Sequence, residues 1–325
     1  MKSLWLVLLL LLFLAGCSKQ NTAKPVNEPT FEGKKLGAWL RERKELPDGT
    51  VVLSPSAKTA VLSLGTNSLP WLVAELKLRD GSQYGPRADS YDRHQMAVLA
   101  FEVLGPKASP AARELLPMFD VLDNYNDGRY SAITVLQCIG PSAVPVLLVA
   151  LKHPDGETRS QAALALGYVG PPAVSAVREL VGLLKDPYFR VRASGAKALG
   201  LIKAQPDLVV PALRELFQTA PAFVANPPPN PVVVRTKSGE SKVVMATQRT
   251  PIPHHQWQFI MEIRIAAVEA LGNYGKDAAG ALPDLNAFLQ RPKPADPHEE
   301  AFDRSVRAAI RNAVPRINGA AIPKR

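Results

Sequence analysis

The chain has 325 residues, of which 46% are hydrophobic and 30 are prolines, and its formal net charge is +10 at pH 7. The prolines fall at predicted loops and first turns of helices, so they do not indicate a disordered chain. Only two cysteines are present, and one of them belongs to the N-terminal leader motif. This count excludes a disulfide-based scaffold, so packing must stabilise the fold.

The chain begins with an apolar run that covers residues 4–15 and follows Lys2. These 12 residues are too few to span a bilayer, which needs about twenty, but they are typical of a secretory signal peptide. The run ends in Leu14-Ala15-Gly16-Cys17, which resembles a bacterial lipobox. That resemblance implies cleavage before Cys17 and lipidation of its thiol. A plain signal peptide and an uncleaved anchor are the alternatives.

The segment after the cysteine is polar, contains two prolines over residues 18–30, and predicts a flexible tether with a reach of roughly 20 Å. We therefore expect an exported protein, lipid-anchored on the periplasmic side of a bacterial membrane. Ser18, where inner-membrane lipoproteins carry Asp, resembles the pattern of outer-membrane lipoproteins. The expected organisation is a signal peptide (1–16), lipidated cysteine and tether (17–32), repeats (33–219), an insertion (220–257) and C-terminal repeats (258–325).

A phrase that starts with Arg and reaches Gly eight residues later recurs along the chain, at Arg159–Gly167, Arg192–Gly200 and Arg264–Gly272. The first two copies are 33 residues apart, a period typical of a solenoid in which each unit packs only on its neighbours. A second phrase, an apolar residue, Pro or Arg, any residue and Leu, recurs in register with the first. Its leucines are Leu72, Leu115, Leu147, Leu180, Leu216 and Leu285. The last interval, 69 residues, is about two periods, so one unit is missing or replaced there.

Each unit is predicted to contain two helices. In the fourth, the first helix covers residues 158–169 and ends at Gly170, which is followed by two prolines. Small residues such as Gly167 allow the neighbouring helices to approach closely. The second helix is expected to bury one apolar stripe, made of Val174, Val177, Leu180, Val181 and Leu184.

These strings resemble bacterial HEAT repeats of the short type found in phycobilin-lyase-like proteins and HEAT-repeat lipoproteins, over residues 33–317 with one interruption. The resemblance implies an all-α fold: a right-handed α-solenoid of about six to seven HEAT-like helical hairpins, with one β-hairpin-like insertion. It implies an architecture rather than an activity, because such repeats host many roles.

The insertion carries a proline-rich entry at residues 226–231, followed by two β-type runs around Lys237-Ser238-Gly239-Glu240. This pattern predicts a β-hairpin. Insertions in repeat proteins lie on one face, often the binding face, so Arg235, Lys237 and Trp257 are candidate partner-binding residues. A degenerate repeat or a packed flap without function is the alternative.

Arginines recur in two positions. The resemblance implies that those at the start of the first helices form a ladder inside the stack and do not bind phosphate; they are Arg93, Arg129, Arg159, Arg192 and Arg264. A second set, Arg113, Arg178 and Arg214, shares one slot of the second helices, which line the concave surface of HEAT arrays. This second set is a candidate binding row. The alternative is a solvated face in which the glutamate after each arginine neutralises it.

Motifs of catalysis are absent from the sequence: there is no His-Glu-x-x-His, Cys-x-x-Cys, phosphate loop or Gly-x-Ser-x-Gly. Metal-dependent HEAT enzymes repeat a His-Glu pair, and this chain has only His298-Glu299. We therefore predict no catalytic residue, metal ligand or cofactor, and we interpret Cys138 as a small packing residue.

The predicted function is a membrane-anchored, non-catalytic scaffold or protein-binding module in the cell envelope. Its expected partners are a protein and, through the N-terminal lipid, a membrane, whereas a nucleic-acid partner is not expected for an exported chain. The alternatives are a lyase-like or metal- or cofactor-dependent enzyme that uses the concave face and the insertion, and a purely structural envelope protein. The sequence leaves the identity of the partner and the oligomeric state open.

Overall fold

The structure, a computed structural model, describes residues 26–77, 88–119, 127–225, 230–235, 241–246, 254–294 and 297–319. Most of this chain is helical, as the repeat pattern predicts. In chain order the helices are α1 (Leu36–Leu40), α2 (Pro55–Leu64), α3 (Leu69–Lys77), α4 (Ala88–Leu104), α5 (Asp127–Ile139), α6 (Val144–Ala150), α7 (Gly156–Val169), α8 (Val177–Leu183), α9 (Phe189–Ile202), α10 (Pro206–Ala225), α11 (His254–Tyr274), α12 (Leu282–Gln290) and α13 (Pro297–Ile317).

Within these ranges the helices form six hairpins, which we number as units. The units are α2 with α3, α4 with the 3-10 segment Gly105–Met118, α5 with α6, α7 with α8, α9 with α10, and α11 with α12. The first helices pack against one another in series from α4 to α13. The predicted fold is thereby confirmed: a right-handed α-solenoid, closed at its C-terminal end by α13.

Except in unit 5, where Lys203 takes the left-handed conformation, the turn inside a unit is built from a glycine with positive φ followed by a 3-10 segment. Gly170 has φ 75°, and the segment Pro171–Ala176 follows it. Ala173 departs from helical geometry at φ −84° and ψ 19°, so α8 begins only at Val177. The prediction that Val174 belongs to the buried stripe is therefore wrong: its side chain is 43% exposed, whereas Val177, Leu180 and Leu184 are buried.

The close approach of successive first helices explains the glycine of the first phrase. A methyl group added at Gly167 would lie 2.8 Å from Cα of Ala198, and one at Gly200 would lie 2.7 Å from Cα of Ala270. Both distances are shorter than a carbon–carbon contact allows. The glycines on α7 and α9 thus let the backbone of the next helix touch them, as the sequence predicted for Gly167.

The second of these contacts crosses the insertion, because Gly200 lies in unit 5 and Ala270 in unit 6. Units 5 and 6 therefore stack directly, and no further unit lies between them. The inserted chain forms the predicted hairpin from β5 (Asn230–Arg235) and β6 (Ser241–Ala246), which pair antiparallel with Val233 opposite Val243. This packing favours an appended hairpin over a degenerate repeat.

The N-terminal end of the solenoid is covered by α1 and two small antiparallel pairs. These are β1 (Thr30–Phe31) with β2 (Lys34–Lys35), and β3 (Arg43–Glu45) with β4 (Val51–Leu53). Trp39 of α1 donates its indole N–H to the Phe31 carbonyl oxygen at 3.1 Å and packs on the core. Trp39 is therefore part of the N-terminal cap.

Among the described residues, one stretch, Ser131–Ala150, is long and apolar enough to cross a membrane by length and composition. It comprises most of α5, the turn at Gly140–Ala143 and α6. Half of it is buried against other elements (50%), and the Gly140 turn breaks it into two helices. In this fold the stretch is the hydrophobic core of unit 3.

A ladder of arginines ties the loops between units to the first helices. Arg159 of α7 binds both carboxylate oxygens of Asp186 at 2.8 Å through Nε and Nη2. Its Nη1 donates to the carbonyl oxygens of His153 and Pro154, also at 2.8 Å. One guanidinium therefore joins the loop before unit 4 to the loop after it, using the fork geometry that only arginine offers.

The arginine at the same position of other first helices also binds residues of the connecting loops or of the preceding unit. Arg192 donates to the carbonyl oxygens of Asp186 and Pro187 at 2.7 and 3.0 Å. Arg93 binds Glu75 with both Nε and Nη2, at 2.5 and 2.8 Å. The structural role predicted for these arginines is confirmed here, whereas the side chain of Arg129 lies outside the described residues.

The ladder has one member that the sequence pattern missed. Arg307 of α13 donates to the carbonyl oxygens of Leu289 and Arg291 at 2.6 and 2.9 Å. The residue eight positions after it is Pro315 instead of Gly, which hid this copy of the phrase. Proline is tolerated at this position because α13 is the last first-type helix in the described chain.

Leu180 is fully buried at 0% exposure in the middle of the array, so truncating it should create a cavity. We expect Leu180→Ala to lower the free energy of unfolding by about 2–5 kcal/mol. Val149→Ala is the matched control, because Val149 is 58% exposed and its truncation should change stability by less than about 0.5 kcal/mol. Urea unfolding followed by circular dichroism measures both; equal losses would place Leu180 on the wrong face.

Asp186→Asn tests the ladder. The Arg159 and Asp186 side chains are only 13% and 8% exposed, so removing the charge leaves a buried guanidinium without its carboxylate. We expect a loss of about 3 kcal/mol in the free energy of unfolding. Glu215→Gln is the control: its pair with Lys185 spans 3.0 Å but both side chains are more than half exposed, and we expect a loss below about 1 kcal/mol. Similar losses in the two variants would contradict a structural ladder.

Candidate functional site

The second helices carry the predicted binding row, and its three arginines differ in their partners. Arg113, in the 3-10 segment of unit 2, and Arg178, on α8, are exposed, and neither forms an ion pair with any described residue. Arg214, on α10, instead binds Asp284 of α12, with 2.7 Å between Nε and Oδ2. Two of the three guanidiniums are therefore available to a ligand.

The acidic residues of this face do not pair as the sequence alternative proposed. Asp284 occupies the slot of unit 6 that Glu215 occupies in unit 5, so Arg214 is neutralised by the next unit and not by the residue after it. Glu215 binds Lys185 at 3.0 Å. The glutamates that follow Arg113 and Arg178 are exposed and form no described contact with them. Local neutralisation therefore does not account for the row.

Between Arg113 and Arg178 the face is apolar, because α6 of unit 3 contains no charged residue. Pro145 replaces the arginine, and Val149, one turn later, is 58% exposed. The positions that match Val149 in the adjoining units are Pro117 and Gly182, both exposed, and a side chain at Gly182 would meet open space. We call the following set the apolar strip: the exposed Pro117, Val149 and Gly182, with the half-buried Leu116, Leu148 and Val181 beside them.

The two arginines lie beside this strip. Arg178 precedes Gly182 by four residues on α8, and residues four apart share one face of an α-helix. Arg113 precedes Leu116 by three residues in a 3-10 segment, where residues three apart are eclipsed. A surface that is apolar at its centre and cationic at both ends therefore extends over units 2–4.

The remaining predicted contact residues cannot be placed with their side chains. Arg235 lies in β5 and Trp257 near the start of α11, and only their backbone belongs to the described structure. Lys237 and Cys17 lie outside the described residues. These four assignments stay predictions.

An aromatic cluster that the sequence analysis did not single out lies where the inserted chain rejoins the array. The rings of Phe189, at the start of α9, and Phe259, on α11, stack with centroids 3.7 Å apart and planes 24° apart. Tyr188 packs on Phe189 at 5.4 Å. In the sequence, the feature that could have indicated this cluster is the Tyr-Phe pair directly after Asp186-Pro187. The cluster packs α11 against unit 5.

No group of three or more His, Cys, Asp or Glu side chains that could hold a metal ion occurs among the described residues. Cys138 is half-buried, which differs slightly from the fully packed position expected for it. Burial, and secondarily the negative charge of Glu102, raises the pKa of its thiol to about 11. Because the thiolate is the nucleophile, this shift makes Cys138 less reactive than an ordinary cysteine.

One comparison with known protein families agrees with this architecture. A family profile for HEAT repeats matches residues 144–226, from α6 to the end of α10. Similar solved structures include two engineered proteins, at 17% and 16% identity, covering 75% and 76% of this chain and 97% and 99% of theirs, with TM-scores of 0.35 and 0.39. A designed armadillo repeat protein in complex with a (KR)4 peptide is 16% identical, with 74% of this chain and 99% of its own covered and a TM-score of 0.37. No curated protein matches the chain. Residues 144–226 thus match HEAT repeats, and the described chain forms a helical repeat fold.

Proposed function

We propose that this protein is a non-catalytic scaffold, tethered to the outer side of a bacterial membrane through Cys17, that binds a protein on the face of its second helices. The observation that carries the proposal is the apolar strip, with Arg113 and Arg178 beside its ends, neither of them in an ion pair with a described residue. The equivalent arginine of unit 5, Arg214, is neutralised by Asp284 of unit 6. The arginines of this face that can bind a partner therefore lie in units 2–4.

The composition of the strip is that of an interface centre. Contiguous apolar groups exposed on a soluble surface mark interaction sites, and arginine is enriched among the residues that dominate binding energy. Val149 is 58% exposed although its neighbours Leu147 and Ala150 are buried. A partner can therefore cover the Val149 side chain without any rearrangement of unit 3. The open position at Gly182 gives space for a side chain of that partner.

The spacing of the arginines suggests the shape of the partner. They are two units apart, and packed helices lie about 8–10 Å from each other, so the guanidiniums are separated by roughly 20 Å. About six residues of extended chain span this distance. We therefore expect a partner segment with small apolar residues at its centre and an acidic residue near each end.

The membrane tether rests on the sequence. A short apolar run that ends in a lipobox supports export and lipidation, and several acyl chains anchor a protein more firmly than one. Residues 18–30 then join the lipid to the N-terminal cap of the solenoid. In this arrangement the second-helix face is presented to partners close to the membrane surface.

Photo-crosslinking in cells tests the binding face. A photoreactive amino acid at position 149 should give a discrete protein adduct, because the strip contacts the partner there. The same substitution at Leu62, which is 48% exposed on α2, is the matched control and should give none. The double variant Arg113→Glu/Arg178→Glu should lose the adduct at 149, whereas Lys293→Glu/Arg304→Glu, with the same charge change on residues that are 75% exposed, should keep it. Identical adduct patterns at 149 and 62 would contradict the proposal.

Metabolic labelling with a fatty-acid analogue tests the tether. Cys17→Ser should abolish the label and leave the precursor uncleaved or the product soluble, because the acylated thiol is gone. Cys138→Ser, which removes the other cysteine of the chain, should keep the full label. Undiminished labelling of Cys17→Ser would rule out the lipid anchor while leaving the binding face untouched.

A further inference from the structure

In unit 6 the partner position of the ladder arginine carries a positive charge instead of a negative one. In unit 4 the ladder residue Arg159 binds the carboxylate of Asp186, which lies 27 positions later. In unit 6 the ladder residue is Arg264, and the position 27 residues later is Arg291. Both partners also lie six residues after the repeat leucine of their own unit, so the two positions are equivalent. Where unit 4 has an ion pair, unit 6 has two guanidiniums.

The two guanidiniums of unit 6 lie around one aromatic ring. The guanidinium carbon of Arg291 is 3.6 Å from the ring centroid of Phe288, and that of Arg264 is 5.1 Å from it. Arg307 approaches the same ring at 5.8 Å. Phe217 lies beside Phe288 at 5.4 Å between centroids. The aromatic ring faces attract the guanidinium cations. They do not, however, provide hydrogen-bond acceptors for the N–H groups, which lie in the plane of each guanidinium.

The nearest carboxylate is already engaged. Asp303, with a side chain only 2% exposed, accepts from Arg291 through Oδ1 and from Arg307 through Oδ2. Arg307 uses its remaining nitrogens on the carbonyl oxygens of Leu289 and Arg291. Asp303 therefore completes the hydrogen bonding of Arg307, and no described hydrogen bond joins it to Arg264.

Arg264 is the ladder arginine with the fewest partners. Its one described hydrogen bond joins Nε to the Phe217 carbonyl oxygen at 3.3 Å, whereas Arg159 makes four bonds at 2.8 Å. Burial and then the charge of Arg291 lower the pKa of Arg264 to about 10, while Asp303 and Glu299 oppose this shift. Arg291 also has a buried Nε without a hydrogen-bond partner. Among the described hydrogen bonds, none joins a carboxylate to Arg264 or to the Nε of Arg291.

We propose that unit 6 binds an oxyanion, a carboxylate or a phosphate group, between Arg264 and Arg291, where it takes the part that the Asp186 carboxylate takes in unit 4. Arginine forks bind both groups with two parallel hydrogen bonds. The Arg291 side chain is 35% exposed, so a ligand from solution can reach it. The site lies at the C-terminal end of the array and is independent of the apolar strip.

Thermal unfolding of the full mature chain in different salts tests this site. Sodium phosphate and sodium acetate are each compared with sodium chloride at equal ionic strength. We expect a rise in Tm of roughly 2–4 °C over chloride with at least one of the two oxyanions. A larger shift with phosphate assigns a phosphate-type ligand, and a larger shift with acetate assigns a carboxylate.

Two variants with the same charge change separate site binding from a general salt effect. Arg291→Gln should remove the oxyanion-dependent rise, measured against its own Tm in chloride, so that a lower starting stability does not affect the result. Arg304→Gln, on the same helix as Asp303 but 75% exposed and outside the cluster, should keep the rise. An equal rise in Arg291→Gln, or no rise over chloride in the unaltered chain, would overturn the proposal.

Discussion

The stacking of units 4–6 depends on one constraint, the contact of α7 and α9 with the backbone of the next first helix. Gly167 and Gly200 have no room for even a methyl group, because Cα of Ala198 and Cα of Ala270 occupy that space. Contact at this distance requires small residues on both helices, and it fixes how one unit is oriented on another. The arginine ladder acts on this arrangement from the connecting loops, where Arg159 and Arg192 donate to backbone carbonyl groups of the loop residues.

In a stack built in this way, contacts form only between neighbouring units. The function follows from the charges and surfaces that single units do not use in these contacts. Each unit contacts only its neighbours, so a charge can be altered in one unit without changing the others. Unit 3 has lost the charges of its second helix, and unit 6 has exchanged an acidic ladder partner for Arg291. These two departures from the repeat are the places where we propose that ligands bind.

The sequence predicted the solenoid, the first helix of unit 4 and the hairpin, because each has a periodic or compositional signature. It failed at Val174, since the period alone cannot reveal that a 3-10 turn delays the second helix until Val177. The partners of the arginines were also beyond the sequence. Arg214 binds Asp284, 70 positions away, and only the direct stacking of units 5 and 6 brings the two together. Arg113 and Arg178 share its slot, but unit 3 has Val146 at the position of the acid, and Glu215 of unit 5 pairs with Lys185.

Direct stacking across the insertion is the central claim, and removal of residues 226–253 tests it most directly. If α9 and α11 form one continuous array, replacing this segment with a short Gly/Ser linker leaves the contact of Gly200 with Ala270 intact. Urea unfolding followed by circular dichroism should then show a single cooperative transition, with a free energy of unfolding within about 1 kcal/mol of the full chain. A split transition, or aggregation of the shortened chain, would show that the segment is part of the stack and would contradict the account.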